Sequence, residues 1–477
     1  MTRGALSPNY RWVVLSIITI GVFMASVDTA VVVLALPDMM TDLHANLVSM
    51  TWVLMVYTFV GTVFLLALGR VGDMFGRIRL YNMGFVIFTL GSVLCGLAHA
   101  AWLLVASRVI QGGGGALMLV NAWAIITEVF PASERGLALG INSLIWGLGG
   151  VVGPVLGGLI LAAGTWRWIF FINIPIGVGG SIAGYLILRE RSRPATDEKL
   201  DVLGALSFSA ALFGLLYALT QGIESGWTSP AMLSLFALFL VGIAFFIFWE
   251  KTVRHPALDL SLFDSLVFDF SILASMFQAI AAFSVQFLLV FYFQAVKGYS
   301  AIHSAFLLMP LPVAIAFSGP FSGKISDRIG STIPATAGVL LQAAGIFILS
   351  TVGLDAGYAR IALGLALSGA GGGFFFSPNT SAAMGAAKKN RLGVASAALA
   401  TLRNTGMVIS YALALAIAAG SIPKEVMMQL FVGTSVTLGS PVMKGFVRGM
   451  HAAFHASVVM CLIAAAMSMV GRQRRPV

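Results

Sequence analysis

The chain has 477 residues; 59% are hydrophobic, only 10% are charged, and the formal net charge is +10. Soluble domains carry about 25% charged residues, so this balance excludes a water-soluble enzyme and points to an all-α integral membrane protein. The two cysteines, Cys95 and Cys461, both lie in apolar runs, which argues against a disulfide framework or a thiolate metal site.

Fourteen apolar runs follow one another, with approximate limits 12–36, 49–68, 80–98, 102–126, 137–163, 168–188, 202–220, 231–249, 267–293, 302–322, 333–353, 358–380, 393–419 and 452–470. As helices, such runs cross a hydrocarbon layer of about 30 Å. The first run is too long for a signal-peptide core and has no small-residue cleavage site after it, so it reads as a retained span. Residues 421–451 mix Pro, Lys, Gly, Val, Thr and Met; they are expected to form an outside loop, or a hairpin around Leu430 to Leu438.

Charge sets the orientation. With the N-terminus in the cytoplasm, 20 of the 28 Lys and Arg residues fall on the cytoplasmic side and 6 on the other. That split fits the positive-inside rule with an even number of spans. The expectation is a multi-pass inner-membrane protein with both termini cytoplasmic. The basic residues are spread over many loops, so they read as topology and contact with membrane lipid rather than as a nucleic-acid surface.

An internal repeat divides the chain. Gly69-Arg70-Val71-Gly72-Asp73-Met74-Phe75-Gly76 follows the second run, and Gly323-Lys324-Ile325-Ser326-Asp327-Arg328-Ile329-Gly330 follows the tenth. Both read Gly-x-x-small-Asp-x-x-Gly. Duplication of a six-helix bundle explains this, with two helices inserted between the halves. The predicted organisation is a six-helix bundle over 1–188, two additional linker helices over 189–260 and a second six-helix bundle over 261–477.

Asp28 is the exception among 18 carboxylates, because it lies well inside a span. A charged side chain at that depth costs a few kcal/mol and is a functional-site hypothesis by default. Protonated, Asp28 is neutral and tolerable in an apolar cavity; deprotonated, it can receive a cationic or polar substrate. Arg108 and Arg403 also lie within spans. Arg108 keeps its charge at ordinary pH, so it either anchors to backbone carbonyls or acts on Asp28 electrostatically. Arg403, followed by Asn404, has the same two readings of structural anchor and pathway group.

In the fifth run, Gly149, Gly153 and Gly157 recur every four residues and share a helix face open to a close partner. Pro154 removes a backbone donor and bends the span, and Gly158 follows. Around the Asp73 turn, glycines permit a tight connection that Asp73 caps. Alternatively, Asp73 and Arg77 form a charge network with Glu128 and Arg135 that holds one conformational state. Candidate lining residues for a substrate cavity are Asp28, Tyr57, Asn121, Asn142, Trp146, Gln278, Phe283, Gln286, Met309, Phe375, Asn379 and Arg403, each equally readable as interhelix packing. The six histidines lie near run ends or in loops and match no zinc spacing. No Gly-x-x-x-x-Gly-Lys-Ser/Thr loop is present. No enzyme activity, metal or cofactor is expected.

These motifs together resemble the major facilitator superfamily and, within it, the 14-helix drug:proton antiporter family. Asp28-Thr29 with Ala35-Leu36-Pro37 resembles that family's first-helix signature, and Gly69 to Leu80 the loop signature between helices 2 and 3. Leu104, Arg108, Gln111 and Gly112 resemble the helix 4 motif. The stretch from Gly149 to Gly158 resembles the helix 5 antiporter motif, and Trp166 to Gly177 is typical of the 14-helix branch. The resemblance implies a major-facilitator fold working by alternating access, with helices 7 and 8 peripheral. It implies a monomer driven by the proton gradient that exports small amphiphilic or cationic compounds, with Asp28 as the coupling site; export of one specific metabolite is the alternative. It also implies that the Asp73 turn is a conformational switch and that the helix 5 seam favours an outward-closed state. The second half lacks the extra intramembrane carboxylates of some relatives, which argues against dicationic substrates.

Overall fold

The computed structural model describes residues 8–131, 134–190, 200–253, 256, 258, 263, 265–387, 392–420 and 440–470. Among them, fourteen helices are long and apolar enough to cross a membrane. The first five are α1 (Pro8–Asp42), α2 (Leu47–Phe75), α3 (Arg77–Gly96), α4 (Ala101–Val129) and α5 (Arg135–Ala163). The sixth span is broken into α6 (Trp168–Phe171) and α7 (Asn173–Ile187), and α8 (Val202–Ser225) and α9 (Pro230–Thr252) follow. The second half holds α10 (Leu266–Phe291), which ends in a π-helical turn (Tyr292–Val296), then α11 (Ala301–Leu308) and α12 (Pro310–Ile329). It closes with α13 (Thr332–Leu349), α14 (Tyr358–Ala386), α15 (Leu392–Ala419) and α16 (Ser440–Val470).

The predicted runs correspond one for one to these spans, and the departures have local causes. The tenth span divides at Met309 because Pro310 and Pro312 withhold backbone donors and favour a new helix start. The last helix begins at Ser440, so residues 440–451 are helical rather than loop. Phe446, Val447 and Met450 are buried there while Lys444 and Arg448 are exposed, an amphipathic pattern whose two cations read as loop signals in the sequence. Residues 421–439, where the hairpin was expected, lie outside the described residues.

Helix packing repeats between the halves. In the first, α1 lies on α5, α4 on both α2 and α3, and α7 on α1 and α3. In the second, α10 lies on α15, α14 on both α12 and α13, and α16 on α10 and α13. The halves meet through α2 against α15 and α5 against α11. The inserted hairpin of α8 and α9 covers the first of these seams, with α8 touching α2 and α15. Its dock is aromatic. Trp52 lies 5.5 Å from the Phe213 ring, and its indole Nε1 donates to Thr220 Oγ1 at 3.2 Å.

The two repeated turns use the same device. Gly76 and Gly330, the last residues of the two motif copies, adopt φ of +95° and +89°, a left-handed region closed to most side chains. At the end of the bundle away from the N-terminus, Arg167 ties three segments together. It donates to Asp42 Oδ2 at 2.6 Å and to the Ala98 carbonyl at 3.2 Å, and Trp166 Nε1 donates to the same Asp42 oxygen at 3.0 Å.

Candidate functional site

Close helix approach brings the polar residues of the first bundle together. A Cβ on Gly91 of α3 would lie 2.6 Å from the Gln111 backbone of α4. Cβ atoms on Gly149 and Gly153 of α5 would lie 2.6 Å from Ser26 Cβ and 2.7 Å from Ala30 Cβ of α1. The glycines of the helix 5 motif are therefore the seat of the helix that carries Asp28. Ser26 Oγ pins that seat by donating to the Trp146 carbonyl at 2.6 Å.

Asp28 is 2% exposed and Arg108 is 1% exposed. Arg108 Nη1 donates to Asp28 Oδ2 at 2.6 Å and to Gln111 Oε1 at 2.6 Å. Gln111 Nε2 donates to Asp28 Oδ1 at 2.8 Å and to Ser92 Oγ at 2.7 Å. Asn173 Nδ2 donates to Asp28 Oδ1 at 3.0 Å and to Ser92 Oγ at 3.3 Å. Arg108 Nε donates to the Val53 carbonyl at 3.1 Å, and the guanidinium lies 4.3 Å from the Tyr57 ring centre. The carboxylate thus accepts three bonds, and Arg108 bonds a backbone carbonyl and Asp28 at once.

Such a pair survives in a low-dielectric interior because both carboxylate oxygens and the Arg108 Nε and Nη1 groups are hydrogen-bonded. Arg108 and Gln111, three residues apart, share one face of α4. Asn173 is presented by the break between α6 and α7, where the first residue of α7 points its amide at α1. Ser92 and Asn173 carried no assigned role in the sequence reading. An amide inside the apolar stretch after Trp166 was the available signal.

The other candidates separate. Tyr57 belongs to the ion-pair cluster. Asn121 donates to the Leu117 carbonyl of its own helix at 2.8 Å. Asn379 donates to the Ser271 carbonyl at 3.0 Å and is buried. Phe375 is fully buried with its backbone against Gly338. The polar or aromatic groups of these three are engaged within the bundles; Phe376, next to Phe375, is the exposed ring. Asn142 is buried, and Trp146, Phe283, Gln286 and Met309 are half-buried. Gln278 Nε2 donates to Gln342 Oε1 at 2.9 Å in the second bundle. Arg403 lies with its guanidinium carbon 5.1 Å from the Phe376 ring centre.

At the turn, Arg77 Nη1 lies 3.7 Å from Glu128 Oε2. The side chains of Asp73 and Arg135, and the surroundings of Gly69, lie outside the described residues. A carboxylate not anticipated from sequence joins the turn: Glu190 Oε2 accepts from the backbone N–H groups of Ile78 at 3.0 Å and Arg79 at 3.2 Å, capping α3. On the opposite side of the bundles, Gln294 Nε2 crosses between halves to the Leu34 carbonyl at 3.1 Å. A Cβ on Gly158 would lie 2.7 Å from Ile302 Cα. Beside this contact is a recess of about 330 Å³ lined by Pro37, Asp38, Leu161, Gln294 and Tyr299. Among the described residues no group of three His, Cys, Asp or Glu side chains is gathered as a metal site.

Residues 18–411 match the Major Facilitator Superfamily. The chain belongs to that family. It is 34% identical over 391 residues to the uncharacterized transporter YebQ of Escherichia coli, covering 82% of this chain and 85% of that one. It is 32% identical over 396 residues to multidrug resistance protein Stp of Mycobacterium tuberculosis, covering 82% and 73%. It is 31% identical over 406 residues to riboflavin transporter RibZ of Clostridioides difficile, covering 84% and 87%. A solved bacterial homologue of the lysosomal transporter Spinster, inward-facing and unoccupied, superposes with a TM-score of 0.70 at 16% identity over 98% of both chains. This major facilitator is therefore a multi-pass membrane transporter of small molecules, not an enzyme. Its fold is two six-helix bundles plus two extra transmembrane helices.

Proposed function

We propose that this major facilitator is a proton-coupled antiporter that exports small amphiphilic compounds by alternating access, with Asp28 as the protonation site. The observation that carries the reading is the buried pair between Arg108 Nη1 and Asp28 Oδ2 at 2.6 Å. A proton arriving at Asp28 Oδ2 cancels the carboxylate charge and leaves Arg108 without its counter-ion. An unpaired guanidinium in a sealed site is costly, so proton binding shifts the balance between conformations by differential stability. Exit of the proton restores the pair.

The remaining features take supporting roles in this reading. Helix α5 seats α1 and also contacts α11 across the bundles, so movement of Asp28's helix and opening of the far side share one element. The Arg77–Glu128 contact and the Glu190 cap brace the opposite end. The charge distribution over the loops supports a cell inner membrane location with both termini cytoplasmic. The chain is read as working as a monomer, in contact with lipid, with the proton gradient as its driving force and no nucleic-acid partner. Breadth of substrate follows from similarity to proteins named for multidrug resistance. Similarity to a riboflavin transporter supports a second reading, in which one specific metabolite is exported on the same fold.

The test uses purified protein in liposomes loaded with a pH-sensitive dye and a panel of amphiphiles added outside. Substrate-evoked proton movement that vanishes in Asp28→Asn is the expected result. Full gradient-driven transport by Asp28→Asn would sink the coupling role.

A further inference from the structure

Arg403 is a cation that no described side chain of the second bundle neutralises. It lies twelve residues into α15 (Leu392–Ala419), about 16 Å along the helix at ~1.5 Å per residue. Its guanidinium faces the Phe376 ring, and among the described residues it has no hydrogen-bond or ion-pair partner. Arg108 shows what an anchoring arginine does in this chain, with one bond to a backbone carbonyl and another to a carboxylate. Arg403 does neither. It is half-buried rather than sealed, and its fork of N–H donors has no acceptor among the described residues. A membrane-embedded charge of this kind persists where it faces a cavity or pathway.

The groups around it form a stripe. Phe376 and Gly372 are four residues apart and share one face of α14. A Cβ on Gly372 would lie 3.7 Å from Gln278 Nε2 and 3.8 Å from Gln342 Oε1, so the amide pair packs against that glycine, with Gln278 half-buried and Gln342 buried behind it. Moving along one helical turn, about 6 Å, the stripe passes from amides to an exposed aromatic ring and on to a free guanidinium. Asp28, in contrast, is enclosed and already paired.

We infer that Arg403 and Phe376, with the half-buried Gln278 beside them, form a recognition site for an amphiphile that carries a carboxylate or similar anionic group beside an aromatic ring. This rests on the export reading above and names its substrate class. The planar guanidinium fork receives the carboxylate through paired N–H···O bonds. Phe376 stacks on the substrate ring, and Gln278, held in place by Gln342, meets its neutral polar atoms.

The test is fluorescence titration of the purified full-length protein with a charge series on one scaffold: dansylglycine (anionic), dansylglycinamide (neutral) and N-dansylethylenediamine (cationic). Wild-type protein is expected to bind dansylglycine about tenfold more tightly than either other compound, the scale of one charge-assisted hydrogen bond. Arg403→Gln should erase that preference while changing affinity for the neutral amide by less than about twofold. Arg403→Lys, which keeps the charge and loses the fork, should fall between. A wild-type protein that shows no charge preference, prefers the cation, or binds none of the three overturns the inference. So does an Arg403→Gln protein that retains full anion preference. The wild-type series needs no variant to fold. Anion preference without proton movement in the dye-loaded liposomes would uphold this site and sink proton coupling, so the two failures are distinguishable.

Discussion

At the centre of the first bundle Asp28 and Arg108 are oppositely charged and enclosed by Gln111, Asn173 and Ser92. In the second bundle Gln278 and Gln342 exchange one neutral amide bond. Nearby, Ser410 Oγ accepts from the Ser284 N–H at 2.8 Å and donates to the Ile280 carbonyl at 2.6 Å. The helix-on-helix plan is the same in both halves, so packing does not require the ion pair. A neutral amide pair offers no proton-accepting carboxylate, whereas the first bundle holds one in Asp28. In the proposed cycle the first bundle responds to protons and the second supplies the surface on which an amphiphile is recognised.

Removing one partner of the ion pair should give the largest effect. Arg108→Ala leaves a buried carboxylate without its counter-ion and should cost about 3–5 kcal/mol, read as thermal unfolding in detergent. The double variant Asp28→Asn/Arg108→Gln should recover much of that loss yet transport nothing against a proton gradient. A double variant as unstable as Arg108→Ala alone would show that the pair is not the source of the cost.

The seat of α1 should be next. Gly153→Val places new atoms against Ala30, 2.7 Å from even the first added carbon, and should cost about 1–3 kcal/mol. Gly150, where an added Cβ meets nothing within 4 Å, is the control, and Gly150→Ala should leave unfolding and transport near wild type. Equal damage from both would show that contact with α1 is not what makes Gly153 matter.

The neutral pair predicts a different pattern. Gln278→Leu strands the Gln342 acceptor and should cost about 1–3 kcal/mol, whereas replacing both by Leu should be nearly neutral for stability. Proton coupling, measured with the entrapped dye, should survive in the double variant; its loss would mean the second bundle also carries protons.

The smallest effect is expected at the turn. Glu190→Gln keeps an acceptor for the Ile78 and Arg79 N–H groups but removes the charge that favours a helix N-terminus, worth about 0.3–1 kcal/mol at an exposed site. Maximal transport rate should fall modestly with the half-saturating substrate concentration unchanged. A shifted half-saturation with an unchanged rate would place Glu190 outside the conformational step.

Much of this protein was legible without coordinates. Apolar runs long enough to span a bilayer leave helices as the economical solution, because unsatisfied backbone groups are not tolerated in lipid. The repeated Gly-x-x-small-Asp-x-x-Gly turn exposed the duplication, since only glycine accepts the backbone that Gly76 and Gly330 adopt. An Asp at mid-span advertised itself by its cost. Tertiary structure alone decided partners. Asn173 lies 145 residues from Asp28 and 81 from Ser92, and Glu190 lies 112 residues from Ile78; no local pattern carries such pairings. It also decided which of two adjacent rings, Phe375 or Phe376, is packed and which is open. That choice depends on the facing helix, where Gly338 admits the Phe375 backbone. Sequence determines where a charge must be accounted for; only the packed helices determine whether it meets a carboxylate, as at Arg108, or an aromatic ring and no carboxylate among the described residues, as at Arg403.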